Sequence, residues 1–303
     1  MILGTTLLVL CAALTADRAC VAAVKPGSEA GEKMTLKIAG VDYTFVWCPP
    51  GEFVMGSPAS ESGRCSTEVP HKVKLSKGFW LLESEVTQGM WQSVMGTSVR
   101  QECEKAGGRW VTAAGPEFPM FYIDWNGAKA FCDKLSERTG YEITLPTEAQ
   151  WEYACRAGTK TPYAAENPGE VAWYAENSEY KAHEVKTKVP NAWGLYDMHG
   201  NVYEWCLDQY GDLGPEPAVD PLATADAATH VYRGGCWDSA AQNCRSAFRM
   251  KYPATTRLSQ YLASSWPCRA NWRMTIKSRK PSPMSASTVK RATRRRVLGP
   301  GAS

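Results

Sequence analysis

The chain has 303 residues, 44% of them hydrophobic, which is enough for one large core or two small ones. Its formal net charge of +3 hides a division: residues 263–303 carry ten Lys/Arg and no Asp/Glu, so the rest of the chain is mildly acidic. An acidic body argues against a nucleic-acid partner. With only four His and no Cys-x-x-Cys, no zinc site of standard spacing is present.

Residues 1–23 contain an apolar run, Ile2 to Leu14, too short for a membrane span and followed by small residues. This segment reads as a secretory signal peptide, which places the chain in a secreted or periplasmic compartment. No other stretch is long and apolar enough to span a membrane. Eleven cysteines suit such an oxidising compartment, so disulfides are expected, with their pairing open.

Residues 24–35 are polar and read as a linker. From Met34 the pattern alternates, with Leu36, Ile38 and Val41, then Tyr43, Phe45 and Trp47, which predicts two strands around Ala39-Gly40. Further strands are expected at 52–57, 71–75 and 79–82. Three helices follow. Thr87 caps the first and Gly96 ends it. Residues 97–123 read as one long irregular stretch. Asp124 caps the second helix, whose Ala128, Phe131, Cys132 and Leu135 fall at i, i+3, i+4 and i+7. Thr147 and Gln150 form a capping box for the third, which stops at Gly158.

Beyond Gly158 turn residues dominate. Asn191–Cys206 is dense in Gly, Asn and aromatics, 208–229 is a Pro/Ala/Asp-rich loop, and 230–233 forms a strand leading into Gly234-Gly235. Strands first, helices in the middle and an irregular second half make an α+β single domain rich in loops. The segment Arg233–Arg249 packs two cysteines, a Gly pair, a Trp and three arginines together. Arg233, Arg245 and Arg249 are expected to pair with carboxylates in packing roles. His199 has no nucleophile at readable spacing and is expected to be structural.

Six ordered stretches carry a resemblance: Pro49–Ser57, Glu85-Val86-Thr87-Gln88, Leu145–Arg156, Asn191–Trp205, Arg233-Gly234-Gly235 and Cys244-Arg245-Ser246-Ala247. Together they resemble the formylglycine-generating enzyme, or sulfatase-modifying factor, family over about residues 34–262. The resemblance implies that family's variant of the C-type-lectin fold. It also implies copper- and oxygen-dependent oxidation of a cysteine in an exported protein or peptide, with two cysteines holding Cu(I). Placing that pattern here puts one ligand on Cys244 and the other on Ser239, and a hydroxyl is a poor Cu(I) ligand. Cys236 and Cys206 are the alternative partners of Cys244, in a metal pair or a disulfide. The catalytic candidates are therefore Cys244, Ser239 and Cys236.

The same resemblance implies calcium held by Asp197, Gly200, Val202 and Glu204, two carboxylates and two backbone carbonyls. It implies a further calcium site in the loop after Asn177-Ser178, which is shortened here. Lectin-like relatives also serve as receptors, so a non-catalytic binding module is the alternative to an oxidase. The family ends on a Leu-Gly-Phe-Arg segment that returns to the core. This chain departs from it after Leu262, so 263–303 read as a disordered basic tail or a shifted reading frame.

Overall fold

The structure is a computed structural model that describes residues 24–109, 111–224, 228–257 and 270–277. The signal peptide read at 1–23, and the tail outside 270–277, lie outside the described residues.

The chain opens with strand β1 (Lys33–Ile38), which pairs antiparallel with β2 (Val41–Cys48). Ala39 and Gly40 both take positive φ, 50° and 82°, the geometry a two-residue hairpin turn requires. The residues before β1 are not a free linker. Val24 is buried, the Lys25 carbonyl accepts from Trp80 Nε1 at 3.0 Å, and the backbone at Gly27 lies against the Trp47 side chain.

Strands β3 (Gly51–Met55) and β4 (His71–Leu75) pair antiparallel and lead to β5 (Phe79–Leu82). Helix α1 (Gln88–Met95) has its Thr87 cap on the Met90 amide and ends at Gly96 in the left-handed region. The stretch expected to be irregular contains α2 (Val99–Lys105), closed by a Ser98/Gln101 capping box. Helix α3 (Trp125–Thr139) buries Ala128, Phe131, Cys132 and Leu135, as the periodicity required. Strand β6 (Glu142–Thr144) follows, then α4 (Glu148–Arg156) with the predicted Thr147/Gln150 box. The left-handed cap of α4 is Ala157, one residue before the predicted glycine stop.

The second half carries α5 (Pro168–Val171), β7 (Ala172–Trp173), β8 (His199–Gly200), β9 (Tyr203–Gln209), β10 (Ala218–Val219), β11 (Thr229–Arg233) and β12 (Met250–Pro253). Two more strands, β13 (Ala270–Trp272) and β14 (Thr275–Lys277), correct the expectation that the domain ends at Leu262. Strand β14 sits between β5 and β6 in the sheet β1-β2-β5-β14-β6, and β13 completes the sheet β12-β11-β9-β13. Trp272, Arg273, Met274 and Ile276 are all buried. Trp272 meets Trp91 and Phe131 edge-on, with ring centroids 5.5 and 5.4 Å apart. Asn271-Trp272-Arg273 thus makes the core return expected of a Gly-Phe-Arg ending.

Candidate functional site

The Arg233–Arg249 segment runs from the end of β11 over the top of α4 and β9. A network of buried ion pairs fixes it. Arg233, fully buried, pairs with Glu152 and lies 3.2 Å from Glu148, while Arg249 grips both Glu148 oxygens at 2.8 and 2.6 Å. Glu152 also takes Arg156 at 2.9 Å and the Gly56 amide. Arg245 reaches the other way, to Glu61, both oxygens of Glu68 and the Gly63 carbonyl, pinning the 57–69 loop against the segment. All three arginines therefore serve packing. Removing one partner from any of these pairs would strand a buried charge.

Gly235, at φ 75°, lies so close to Cys244 that a Cβ there would fall 2.5 Å from its Sγ. That approach seals the Cys244 sulfur. The thiol is fully buried, and loss of solvation pushes its pKa up to about 12, so it stays protonated at neutral pH. No lysine or arginine offsets that burial: the opposing contributions come from the backbone at Cys236 and Gly200.

Ser239 occupies the position of the second implied copper ligand. Its hydroxyl accepts from the Cys236 amide at 3.1 Å and donates to the Tyr203 hydroxyl at 3.1 Å. It is an ordinary hydrogen-bonding group of a buried turn. Cys236 carries no free thiol; it is disulfide-bonded. The alternative pairings are corrected here. Cys244 and Cys206 are both free thiols, so neither is disulfide-linked to the other, and Cys236 has no thiolate to share with Cys244 in a metal pair. Six described cysteines, at 48, 65, 132, 155, 206 and 244, are free thiols, and only Cys65 among them is exposed. The residues present do not fit Cu(I), which calls for two soft thiolates, because the hydroxyl of Ser239 stands where the second ligand is implied.

His199 is buried beneath the same turn. Its Nδ1–H donates to the Cys244 carbonyl at 2.7 Å and its Nε2 accepts from the Ala164 amide at 3.2 Å, which fixes the neutral tautomer. Burial holds its pKa down at about 4. It is a structural histidine, as its surroundings in the sequence implied.

The four implied calcium residues lie together at the β8–β9 turn, but they are not free to act together. Asp197 Oδ2 accepts from the Lys186 amide at 2.8 Å, and its buried Oδ1 has no hydrogen-bond partner. That oxygen suits a hard cation. Glu204 does not, because Arg273 Nε reaches both of its oxygens at 2.9 Å and Trp151 Nε1 adds a third bond at 3.0 Å. Gly200, at φ 76°, packs its Cα face against the Trp173 carbonyl. The Val202 amide donates to Glu85, a carboxylate the sequence reading passed over. Among the described residues no group of three or more His, Cys, Asp or Glu side chains is arranged to hold a metal. The loop after Ser178 is closed by a side chain: His183 Nε2 bonds the Ser178 carbonyl at 2.8 Å, with the imidazole stacked on Trp173.

What the segment leaves outside is a short polar rim. Ala240 and Gln242 are exposed, while Trp237, Asp238 and Asn243 are half-buried. Its backbone is held at both sides: the Trp237 amide donates to Asn201, the Ala175 amide donates to Ser239, and Ser178 Oγ donates to the Trp237 carbonyl. Tyr180, 68% exposed, stands at the tip of the adjoining loop, with Glu179 and Tyr180 both at positive φ. The nearby groove, about 400 Å³ in volume, is lined by Phe118, Trp173, Lys181, His183 and Thr187 among others.

Comparison with known proteins gives concordant results. Residues 39–261 match the sulfatase-modifying factor enzyme 1-like domain. The formylglycine-generating enzyme of Streptomyces coelicolor is 31% identical over 205 residues, covering 61% of this chain and 62% of that protein. A serine/threonine-protein kinase, pkn1 of Chlamydia pneumoniae, is 34% identical over 154 residues, 48% of this chain and 23% of the kinase. The chain thus spans less than two thirds of the length of these relatives. The solved structure of Treponema denticola variable protein 1 superposes with a TM-score of 0.68 at 28% identity, covering 80% of this chain and 98% of that one. The fold is that of the formylglycine-generating-enzyme-like proteins, and no helix among the described residues is long and apolar enough to cross a membrane.

Proposed function

Because this chain belongs to the sulfatase-modifying factor enzyme 1-like domain family, we infer that it is a non-oxidising member that works as a binding module. The observation that carries this reading is the state of the implied copper pair. Ser239 is a hydroxyl locked between the Cys236 amide and Tyr203, which leaves Cys244 as the one thiol of the implied pair. Copper chemistry of that kind needs two thiolates, and the implied pair supplies one sulfur and one hydroxyl.

The rim from Trp237 to Asn243, with the Tyr180 tip beside it, is the recognition surface in this reading. Its backbone is fixed by bonds to Asn201, Ala175 and Ser178, so little ordering entropy is lost when a ligand docks. An aromatic, an acid and two amides on a rigid frame suit an extended peptide of an exported protein, the ligand class that the apolar leader-like run at 2–14 supports.

The test has two parts. Cu(I) competition against a chromophoric chelator is expected to show no stoichiometric binding, and a Cys-x-Pro-x-Arg peptide with copper and oxygen is expected to yield no aldehyde. Screening a displayed peptide library is expected to give binders that survive Cys244→Ala and are lost with Trp237→Ala/Gln242→Ala. Oxygen-dependent aldehyde formation abolished by Cys244→Ala would reinstate the oxidase.

A further inference from the structure

The recognition segment opens on a sulfur that is already bonded. Cys236 is fully buried, three residues past the end of β11, and it alone among the described cysteines is disulfide-bonded. Its partner is therefore one of the three cysteines that lie outside the described residues, Cys11, Cys20 and Cys268. Described neighbours decide among them.

Cys11 and Cys20 belong to the leader-like stretch 1–23, and the residues that follow it run over the other sheet. The Lys25 carbonyl takes Trp80 Nε1 and Gly27 lies against Trp47, on β5 and β2, whereas Cys236 follows β11 of the sheet β12-β11-β9-β13. Cys268 precedes β13 of that same sheet by two residues. Strand β13 runs parallel to β9 with Ala270 opposite Tyr203, so counting back two residues points Cys268 to the level of Asn201. Cys236 is at that level too. The Trp237 amide donates to the Asn201 carbonyl at 2.8 Å, and the Cys236 sulfur lies 3.3 Å from Ser239 Oγ, which in turn donates to the Tyr203 hydroxyl. Neighbouring strands stand about 4.8 Å apart, inside the roughly 4.4–6.8 Å between Cα atoms that a disulfide spans.

We propose that Cys236 and Cys268 form a disulfide that closes the recognition segment and β13 into one covalent ring. The ring has 33 residues, Cys236 to Cys268, and the whole rim from Trp237 to Asn243 lies inside it, with Arg245 and Arg249. Its formation takes two electrons and two protons from the two thiols; a disulfide oxidant of the export compartment accepts them and leaves as two thiols. The bond does two things. It holds residues 270–277 against β9, and it removes freedom from the rim before any ligand arrives. This inference stands apart from the binding reading, since it is read from masses and not from a ligand.

The experiment is mass mapping of the full chain, secreted into an oxidising compartment, denatured with excess N-ethylmaleimide at mildly acidic pH and digested with trypsin without reductant. The expected product joins Gly234–Arg245, with Cys244 alkylated, to Leu258–Arg269, and separates into the two on reduction. Cys236 alkylated without reduction, or joined to any cysteine other than Cys268, overturns the proposal. Cys236→Ala, Cys268→Ala and the double variant are expected to lower the thermal midpoint nearly equally, since each removes the same bond. Loss of the 33-residue ring lowers the folded-to-unfolded ratio roughly 500-fold, about 7–15 °C in Tm. Losses that add in the double variant overturn a shared bond. If the variants do not fold, the map of the wild-type chain still decides.

Discussion

Replacing Trp272 by alanine tests the docking of residues 270–277 most directly. The indole is fully buried, lies edge-on to Trp91 and Phe131, and sits on a strand whose carbonyl accepts from the Val86 amide at 3.1 Å. Truncating a buried Trp to Ala costs about 3–5 kcal/mol, because the lost transfer energy and the cavity left behind add. The two edge-on ring contacts account for about 1 kcal/mol each of that sum. Against a typical domain stability of roughly 5–15 kcal/mol, the variant would lose about a fifth or more of its margin. The midpoint is expected to fall by about 6–20 °C. Urea unfolding followed by far-UV circular dichroism measures the loss without relying on the fluorescence of the deleted indole. Ending the chain at Leu262 is expected to be worse, since β14 is the strand that joins β5 to β6. A loss below about 1 kcal/mol for Trp272→Ala would refute the claim that this segment is core.

Burial, with Glu148 nearby, raises the Asp208 carboxyl to about 7 from its ordinary 3.8. The folded chain therefore holds a proton that the unfolded chain has lost, and this contribution, on the order of 4 kcal/mol, is present at low pH and fades as pH rises from about 4 to 7. His199, held down at about 4, acts in the opposite sense: below about 6.5 the unfolded chain gains a proton the folded chain refuses, so stability falls on acidification. Asp208→Asn is expected to unmask that second slope in pH-dependent urea titrations; an unchanged pH profile would contradict the assignment. Arg245→Met leaves Glu61 and Glu68 without their shared cation and is expected to cost about 3–5 kcal/mol. Faster proteolysis within the 57–69 loop checks it. Mass-mapped alkylation of the native protein is expected to label Cys65 quickly and to spare Cys48, Cys103, Cys132, Cys155, Cys206 and Cys244 until denaturation.

Much of the architecture was legible where local chemistry and packing agree. The Ala39-Gly40 hairpin, the Thr87, Asp124 and Thr147 caps and the buried face of α3 all follow from side-chain patterns a few residues long. Helix α2 was missed although Ser98 and Gln101 carried the same capping signal, because its seven residues offer too short an apolar period. The two strands after Leu262 were missed for a different reason. Trp272, Met274 and Ile276 alternate over only five residues, inside a stretch whose charge reads as solvated tail.

At the site the sequence alone determined the family blocks, the lectin-like fold they imply and the hydroxyl of Ser239 where a thiolate would be needed. Each of these is a property of residue identity at a position. Only the tertiary structure decided that Cys236 has no thiol to lend, that Glu204 belongs to Arg273, and that Glu85 joins it in the core. The last two facts depend on partners 69 and 119 residues apart in the chain, and the charges around a buried carboxylate are set by what the fold brings close, which spacing along a sequence does not record.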